Sequence, residues 1–266
     1  MLTFGAGSAF GIEAANETFS KFKQNTPDVL VTVAGNTNQA AFNGAGAFDY
    51  TDQASVYQLD VDNSFAKIDT SSGARTALPS PTAPGSETWA GLAFDPTDGT
   101  LYGLSTDVVT STLSTIDPTT GATTTVGLTG MTGGIALAID GDGNMWSYDI
   151  VSDNFFSVDK NTGTATAVGP LGFDANFGQG MSWDPSSDQI FLAAFNNGAF
   201  QPELRVADTA TGNTTFLGVL GATVPGGLTQ FGWVSIPGNV VPPTPCPFIS
   251  AVDPESGTIP GGQSVD

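Results

Sequence analysis

Apolar and polar residues alternate along most of this chain in short runs, and segments rich in Gly and Asp separate the runs. An alternation with a period of two is typical of β-strands with one buried face. An amphipathic helix would instead repeat its apolar positions every three or four residues. The pattern therefore predicts a chain of many short strands joined by tight turns, with strands favoured over helices.

One turn sequence, Asp-x-x-[Ser/Thr]-Gly, recurs along the chain at intervals of about 40–50 residues. The copies are Asp69–Gly73, Asp117–Gly121, Asp159–Gly163 and Asp208–Gly212. An Asp side chain accepts backbone N–H groups two residues further on, and Gly supplies the positive φ that a tight hairpin needs. We interpret the four copies as a hairpin device and not as four catalytic sites.

A second mark precedes each of these turns, an apolar run that ends in Asp. The runs end at Asp49, Asp95, Asp140 and Asp184. Two further alternating runs lie between each mark and its turn, and a fourth, Thr-rich run follows the turn. Four strands per repeat is typical of a β-propeller blade. The repeats predict blades over residues 40–80, 88–128, 131–170 and 175–220.

The two ends of the chain complement one another. Ala9–Glu13, Phe19–Lys23 and Leu30–Ala34 match the second, third and fourth strands of a blade, and Gln230–Val234 matches a first strand. Pairing these segments closes the ring and leaves no free edge. The predicted fold is therefore all-β, a β-propeller of five four-stranded blades with a composite closing blade made from both termini.

The charge and composition narrow the possible functions. The chain has 26 acidic and 6 basic residues, for a net charge of −20, and no histidine. Nucleic acids and anionic membranes bind basic patches, so neither is an expected partner, and no apolar run is long enough for membrane insertion. The lack of histidine removes the Ser-His-Asp and Cys-His arrangements and the ordinary zinc sites. We predict no catalytic residue, no metal site and no cofactor, and the single Cys246 cannot form an internal disulfide.

Two acidic features leave a hydrolase or lyase open as an alternative. Asp140–Asn144 alternates oxygen-bearing side chains with glycine, as the start of a calcium loop does, but it also occupies the position of a repeated hairpin turn. Glu87 and Glu203 would form an acid pair for glycoside or lactone hydrolysis if they shared one rim. The simpler interpretation is that both glutamates are solvated loop acids.

The loops between blades and the loops between second and third strands are expected on one face of the ring. They contain aromatic residues beside Asn and Gln, a combination that suits recognition of a glycan or a protein. The predicted ligand-binding residues are Phe42, Asn43, Trp89, Phe177, Gln179, Asn196, Asn197, Phe200 and Gln201, and Phe173 lies in the same loops. Aromatic residues between blades also serve as core packing, which is the alternative interpretation.

Two phrases, Gly91–Gly103 (GLAFDPTDGTLYG) and Leu113–Gly127 (LSTIDPTTGATTTVG), resemble repeats of secreted bacterial propeller-like proteins. The resemblance implies an extracellular or cell-surface location and carries no catalytic residues. Residues 248–266 resemble the opening strands of an immunoglobulin-like module of bacterial surface proteins. The expected domains are a propeller over 1–237, a Pro-rich linker over 238–247 and the truncated start of that module over 248–266. The chain shows no signal peptide, so we expect any export signal to have been removed or to lie outside this sequence.

These observations favour one function and leave two others open. The favoured function is a non-catalytic binding or adhesion module of a larger extracellular protein, which recognises a glycan or a protein through one propeller face. The first alternative is a calcium-dependent hydrolase or lyase that uses carboxylates in the channel. The second is a structural subunit of an extracellular fibre, in which the C-terminal segment contacts neighbouring modules or subunits.

Overall fold

The computed structural model of the chain describes residues 7–14, 17–35, 44–221 and 230–238. All regular structure in these ranges is β-strand. The strands near the termini are β1 (Ser8–Glu13), β2 (Thr18–Lys23), β3 (Thr26–Ala34) and β20 (Phe231–Ser235). The next two groups of four are β4 (Ala45–Phe48), β5 (Ser55–Leu59), β6 (Phe65–Asp69) and β7 (Arg75–Leu78), then β8 (Thr88–Phe94), β9 (Leu101–Thr106), β10 (Ser111–Ile116) and β11 (Thr123–Leu128). The last two groups are β12 (Gly134–Ile139), β13 (Met145–Asp149), β14 (Asn154–Val158) and β15 (Ala165–Pro170), then β16 (Gly180–Asp184), β17 (Gln189–Asn196), β18 (Gln201–Ala207) and β19 (Thr214–Val219).

These strands form five antiparallel four-stranded sheets, which are the blades of a β-propeller. Blade 1 has the order β20-β1-β2-β3, and blades 2 to 5 are β4–β7, β8–β11, β12–β15 and β16–β19. In blade 1 the two ends of the chain pair directly: Ile12 lies opposite Trp233 and Gly11 opposite Val234. The predicted five-bladed fold and its composite closing blade are confirmed.

The first strands of the five blades surround the axis of the ring and contact their neighbours in a closed circle. Small and apolar residues line the space between them, including Gly46, Leu92, Leu137 and Met181. Two cavities of about 10 Å³ each lie along this axis, and that volume is about the size of one water molecule. Along the described first strands, the axis of the ring is therefore closely packed.

The repeated Asp-x-x-[Ser/Thr]-Gly turn has the geometry that its sequence predicts. The Asp69 carboxylate accepts the backbone N–H groups of Ser71 at 3.0 Å and Ser72 at 2.8 Å, and Gly73 has a φ of 72°. The three other copies repeat the Asp carboxylate bond and the positive-φ glycine. These aspartates hold hairpins, as expected.

A bulge near the outer edge of blades 3, 4 and 5 follows from the Gly that closes each repeat. In blade 3, Leu113 pairs with Gly127 and Ser114 pairs with Thr125, so Val126 is the extra residue. Blades 4 and 5 have the same shift at Val168 and Leu217. The bulge bends the outer strand and places its glycine against the neighbouring blade.

Within the described ranges, no helix has the length and apolar character needed to cross a membrane. Residues 239–266, which hold most of the predicted linker, Cys246 and the predicted immunoglobulin-like segment, lie outside the described residues. Phe42 and Asn43 also lie outside them. The domain boundaries stay predictions.

Candidate binding site on the loop face

Each blade is antiparallel, so its connections fall into two sets at opposite ends of the ring. The loops between second and third strands and the connections between blades lie at one end, which we call the loop face. The first-to-second and third-to-fourth turns, with the repeated Asp-x-x-[Ser/Thr]-Gly sequence, lie at the other end, which we call the turn face. All the sequence-predicted site residues in the described ranges belong to the loop face or to strand ends beside it.

Three phenylalanines form an aromatic patch at the loop face: one lies near the end of β17, and two lie in the loops before β16 and after β17. Phe195 is buried near the end of β17, and its ring contacts Phe177 at 5.2 Å and Phe200 at 5.5 Å between centroids. Both contacts are edge-to-face, with interplanar angles of 84° and 88°. Phe177 is 47% exposed and Phe200 is 59% exposed. We call these three residues the aromatic patch.

The backbone of both exposed phenylalanines is in the left-handed region. Phe177 has a φ of 63° and Phe200 a φ of 50°. This region costs a residue with a Cβ about 1–2 kcal/mol, and Asn, Asp and Gly tolerate it best. The corresponding loop of blade 2 has Asn63 at a φ of 69°, a residue suited to the position. Two bulky, exposed aromatic residues therefore occupy positions that the backbone alone would give to Asn or Gly.

A buried carboxylate organises the polar residues around the aromatic patch. Glu203 accepts hydrogen bonds from the side-chain amides of Asn196 at 3.0 Å and Gln201 at 2.8 Å. Its other oxygen accepts the Arg205 Nε at 2.7 Å, and both members of this ion pair are largely buried. The network fixes the base of the loop between β17 and β18, because buried charges are stable only when they are paired and hydrogen-bonded.

The tip of that loop is attached to the connection between blades 4 and 5. The Asn197 side-chain amide donates to the Asp174 carboxylate at 2.9 Å, and the Asn197 backbone N–H donates to the Asp174 carbonyl at 2.8 Å. Nearby, the Arg205 guanidinium lies over the Phe173 ring, 4.4 Å from its centroid. The two loops that carry Phe177 and Phe200 are therefore joined by direct bonds.

Two of the sequence-predicted binding residues are buried. Trp89 is 1% exposed and packs in the core between blades. Gln179 is also buried; its side-chain oxygen accepts the Tyr148 hydroxyl at 3.0 Å and its nitrogen donates to the Asn176 carbonyl at 2.7 Å. Neither side chain is accessible to a large partner, so Trp89 follows the core-packing alternative.

The acidic residues considered for catalysis lie in separate networks. Glu87 accepts hydrogen bonds from the hydroxyls of Ser105 at 2.6 Å, Thr112 at 2.8 Å and Thr110 at 3.1 Å, all in blade 3. Glu203 is held inside blade 5, and the two glutamates share no hydrogen-bond partner. The residues lining the cavities on the ring axis include no carboxylate.

The segment Asp140–Asn144 has the bonding of a hairpin turn. One oxygen of Asp140 accepts the backbone N–H groups of Asp142 at 3.1 Å and Asn144 at 2.9 Å, and the other accepts Trp146 Nε1 at 3.0 Å. Across the described residues, no group of three or more Asp, Glu or Cys side chains is arranged to hold a metal ion. The carboxylate is thus engaged by its own turn.

Comparisons with known proteins identify the fold. No protein-family model matches the chain, and no curated protein matches it. A protein of unknown function from Bacteroides thetaiotaomicron superimposes with a TM-score of 0.58 at 13% identity over 88% of this chain, which spans 63% of that protein's length. A protein of unknown function from Bacteroides caccae has a TM-score of 0.52 at 9% identity, covering 87% of this chain and 99% of its own. A chain in the crystal structure of a nidogen/laminin complex has a TM-score of 0.58 at 14% identity, covering 89% of this chain and 100% of its own. At these identities the likeness establishes the β-propeller fold.

Proposed function

We propose that this chain is a non-catalytic binding module that recognises a protein partner through the aromatic patch of blade 5. The observation that carries the proposal is the backbone of Phe177 and Phe200. Both side chains are exposed, and both have a positive φ that favours Asn or Gly. Residues held in a sparsely populated backbone region cluster at functional sites.

The arrangement of the patch suits an interface anchor. Phe195 supports both exposed rings from below, and the bonds between Asn197 and Asp174 hold the two loops together. A preorganised aromatic pair loses little conformational entropy on binding and buries a large apolar area. Single exposed phenylalanines are common on protein surfaces, but a supported pair on two joined loops is a patch.

A protein partner fits this chemistry better than a glycan. Sugar recognition needs free amide or carboxylate groups beside an aromatic ring. Here the side-chain nitrogens of Asn196 and Gln201 donate to Glu203, and that of Asn197 donates to Asp174. One amide donor of each of these three residues is therefore engaged within the protein, and the two exposed side chains of the patch are apolar.

We place the module in a larger extracellular or cell-surface protein. The support is the likeness of its repeats and of residues 248–266 to secreted, modular bacterial proteins. A chain with the same fold occurs in a complex between nidogen and laminin, so a ring of this kind can take part in an assembly of two proteins.

The proposal is tested by selecting a displayed peptide library on the purified protein. The selected peptides are then measured against the Phe177→Ser/Phe200→Asn variant and against a Val29→Ser control. Val29 is an exposed apolar residue in the first half of β3, the outer strand of blade 1, which begins at the turn face. We expect the double variant to bind the peptides about tenfold more weakly or worse, and the control to bind them as the wild type does. Equal binding by the double variant would refute the proposal, and glycan-array signals lost on Phe200→Asn would replace the protein partner with a sugar.

A further inference from the structure

A second apolar surface lies on the loop face, at blades 3 and 4. Val108 is 50% exposed, Val109 is 72% exposed and Val151 is 56% exposed. The first two lie between β9 and β10, and the third lies between β13 and β14. A Cβ placed on Gly133 would lie 2.9 Å from Val151 Cγ2 and 3.6 Å from Val108 Cγ1. Both side chains thus border the same glycine, and we call the three residues the valine patch.

Val108 repeats the feature that distinguishes Phe200. Its φ is 65°, in the left-handed region, where a β-branched residue is a clear outlier. The corresponding loops of blades 2 and 4 have Asn63 and Asp153 at positive φ, which are residues that tolerate it. Valine therefore occupies a position whose backbone conformation disfavours it, and its side chain is half exposed instead of buried in the core.

The valine patch connects to the aromatic patch through a chain of direct contacts. Val151 shares its loop with Asp153, and the Asp153 carboxylate accepts the Ala175 backbone N–H at 2.8 Å. Ala175 forms a β-bridge with Asn196, at the base of the loop that carries Phe200. The exposed apolar residues of blades 3, 4 and 5 thus follow one continuous arc of loops.

The charges of the loop face point to the partner. Every charged residue in its described loops is acidic: Glu17, Asp60, Asp62, Glu87, Asp107, Asp153 and Asp174. These loops contain no Lys or Arg: Lys21, Lys23, Lys67, Arg75 and Arg205 lie in strands, and Lys160 lies in a hairpin of the turn face. Arg75 and Arg205 reach this end of the ring only as partners of the buried carboxylates Asp60 and Glu203. Apolar anchors on a surface with a net acidic charge are complementary to a cationic, apolar ligand.

We propose that a basic polypeptide segment with interspersed apolar side chains lies along this arc, with the valine patch and the aromatic patch as its two anchor sites. The proposal rests on the proposed function and names the partner class and the second site. Opposite charge raises the rate of encounter, and the apolar anchors then slow dissociation.

Other occupants fit the charge poorly. A second copy of the chain carries a net charge of −20 and would repel the loop face. The segment 239–266 contains Asp253, Glu255 and Asp266 and no Lys or Arg, so it repels this face as well. The occupant is therefore a different chain with the opposite charge.

The test uses three synthetic peptides of equal length and the whole protein. The first alternates Lys with Phe or Leu, the second replaces Lys with Glu, and the third keeps Lys but replaces the apolar residues with Ser. Affinity is measured by fluorescence anisotropy at low and at physiological salt. The variants are Val108→Asn/Val109→Ser/Val151→Ser, Phe177→Ser/Phe200→Asn and the Val29→Ser control, each checked for an unchanged fold by its melting temperature.

We expect only the first peptide to bind, with an affinity that falls as salt rises. The valine variant and the phenylalanine variant should each weaken binding about tenfold, and Val29→Ser should leave it unchanged. A loss confined to the phenylalanine variant would overturn the second site and leave the proposed function standing. Unchanged binding in both variants would overturn both. Equal binding of the Glu peptide, of the Ser peptide or of a peptide of residues 239–266 would overturn the partner class.

Discussion

Gly127 in the outer strand of blade 3 lies directly against Gly163 in the hairpin turn of blade 4. A Cβ on Gly163 would lie 2.8 Å from the Gly127 carbonyl oxygen, and a Cβ on Gly127 would collide with the Thr162 carbonyl. The same relationship joins Gly169 of blade 4 to Gly212 of blade 5. At these two boundaries the closing glycine of one blade therefore receives the turn glycine of the next, so the two glycines share one packing role.

This contact predicts a stability loss for Gly127→Ala. The new methyl group meets backbone atoms of blade 4, which cannot rotate away, so the blades must separate. We expect a loss of about 1–3 kcal/mol in the free energy of unfolding, measured by urea denaturation. Gly35→Ala is the matched control, because a Cβ there meets nothing within 4 Å. Equal effects of the two substitutions would contradict the blade contact.

The fold could be predicted from the sequence because the patterns that specify its strands and turns are local and repeated. The Asp69 turn needs only its own side chain and the positive φ of Gly73, and the period-two alternation predicts strands directly. The composite blade also followed, since Ile12 and Trp233 lie in segments that each match part of one repeat. Because the blades repeat one pattern, the strand assignment of each blade could be checked against the others.

The site was less predictable because its properties depend on neighbours distant in sequence. Trp89 lies at the start of the first strand β8 and Phe177 lies just before the first strand β16, yet Trp89 is buried where Gly103 leaves space for its ring, while Phe177 is exposed. The partner of the Asn197 amide, Asp174, comes from another loop. One signal for the valine patch was present in the sequence: Val108 and Val109 occupy a tight turn where blade 2 has Asn63.

The buried carboxyl group of Asp60 should make a contribution to the free energy of unfolding that falls as pH rises. It is buried between Gln58, which donates to it at 2.6 Å, and Arg75, which donates at 3.1 Å. Burial raises its pKa from 3.8 to about 6, against the effect of these two donors. Because the folded-state pKa lies above the unfolded value, the contribution is complete below about pH 4 and is lost as pH rises through about 6.

Asp60→Asn tests this dependence, because it keeps the shape and removes the titration. From pH 4 to pH 7, the wild type should lose up to about 3 kcal/mol more unfolding free energy than the variant does. Urea denaturation at a series of pH values measures it. A constant difference across that range would show that the buried carboxyl titrates alike in the folded and unfolded states.

Asp69 predicts the opposite dependence. Hydrogen bonds from the Ser71 and Ser72 hydroxyls and backbone N–H groups hold its pKa at about 2 in the folded chain, below the unfolded value of 3.8. A depressed pKa gives stability that is present above about pH 4 and lost as pH falls through about 2. As pH falls from about 4 to about 2, the free energy of unfolding of Asp69→Asn should therefore fall less than that of the wild type. Equal losses in the two proteins over this range would exclude this role for the turn carboxylate.

An ion pair of Lys160 joins blades 3 and 4 on the turn face and should stabilise the fold. The Lys160 ammonium group pairs with Asp95 of blade 3, which is fully buried and also accepts the Thr97 N–H at 2.9 Å. Lys160→Met keeps the aliphatic length but leaves a buried carboxylate without its cation. We expect a loss of about 2 kcal/mol, at the low end for a buried pair because Lys160 is partly exposed.

The double variant Lys160→Met/Asp95→Asn separates the charge effect from the loss of packing. If the ion pair carries the effect, the double variant should recover part of the stability that Lys160→Met loses, because no unpaired charge stays buried. Thermal or urea unfolding of the four proteins completes the cycle. A double variant less stable than Lys160→Met would mean that Asp95 acts through its turn hydrogen bonds instead.

Val108→Asn predicts a more stable protein with a weaker binding surface. Asn tolerates the φ of 65° better than valine does, and the exposed valine side chain contributes little packing. We expect the free energy of unfolding to rise by about 1 kcal/mol. Val109→Asn, one residue further along the same loop, is not at a positive φ and should leave stability unchanged. A loss of stability in Val108→Asn would mean that valine is present for internal packing, and the positive φ of Val108 would then be no sign of a binding surface on blade 3.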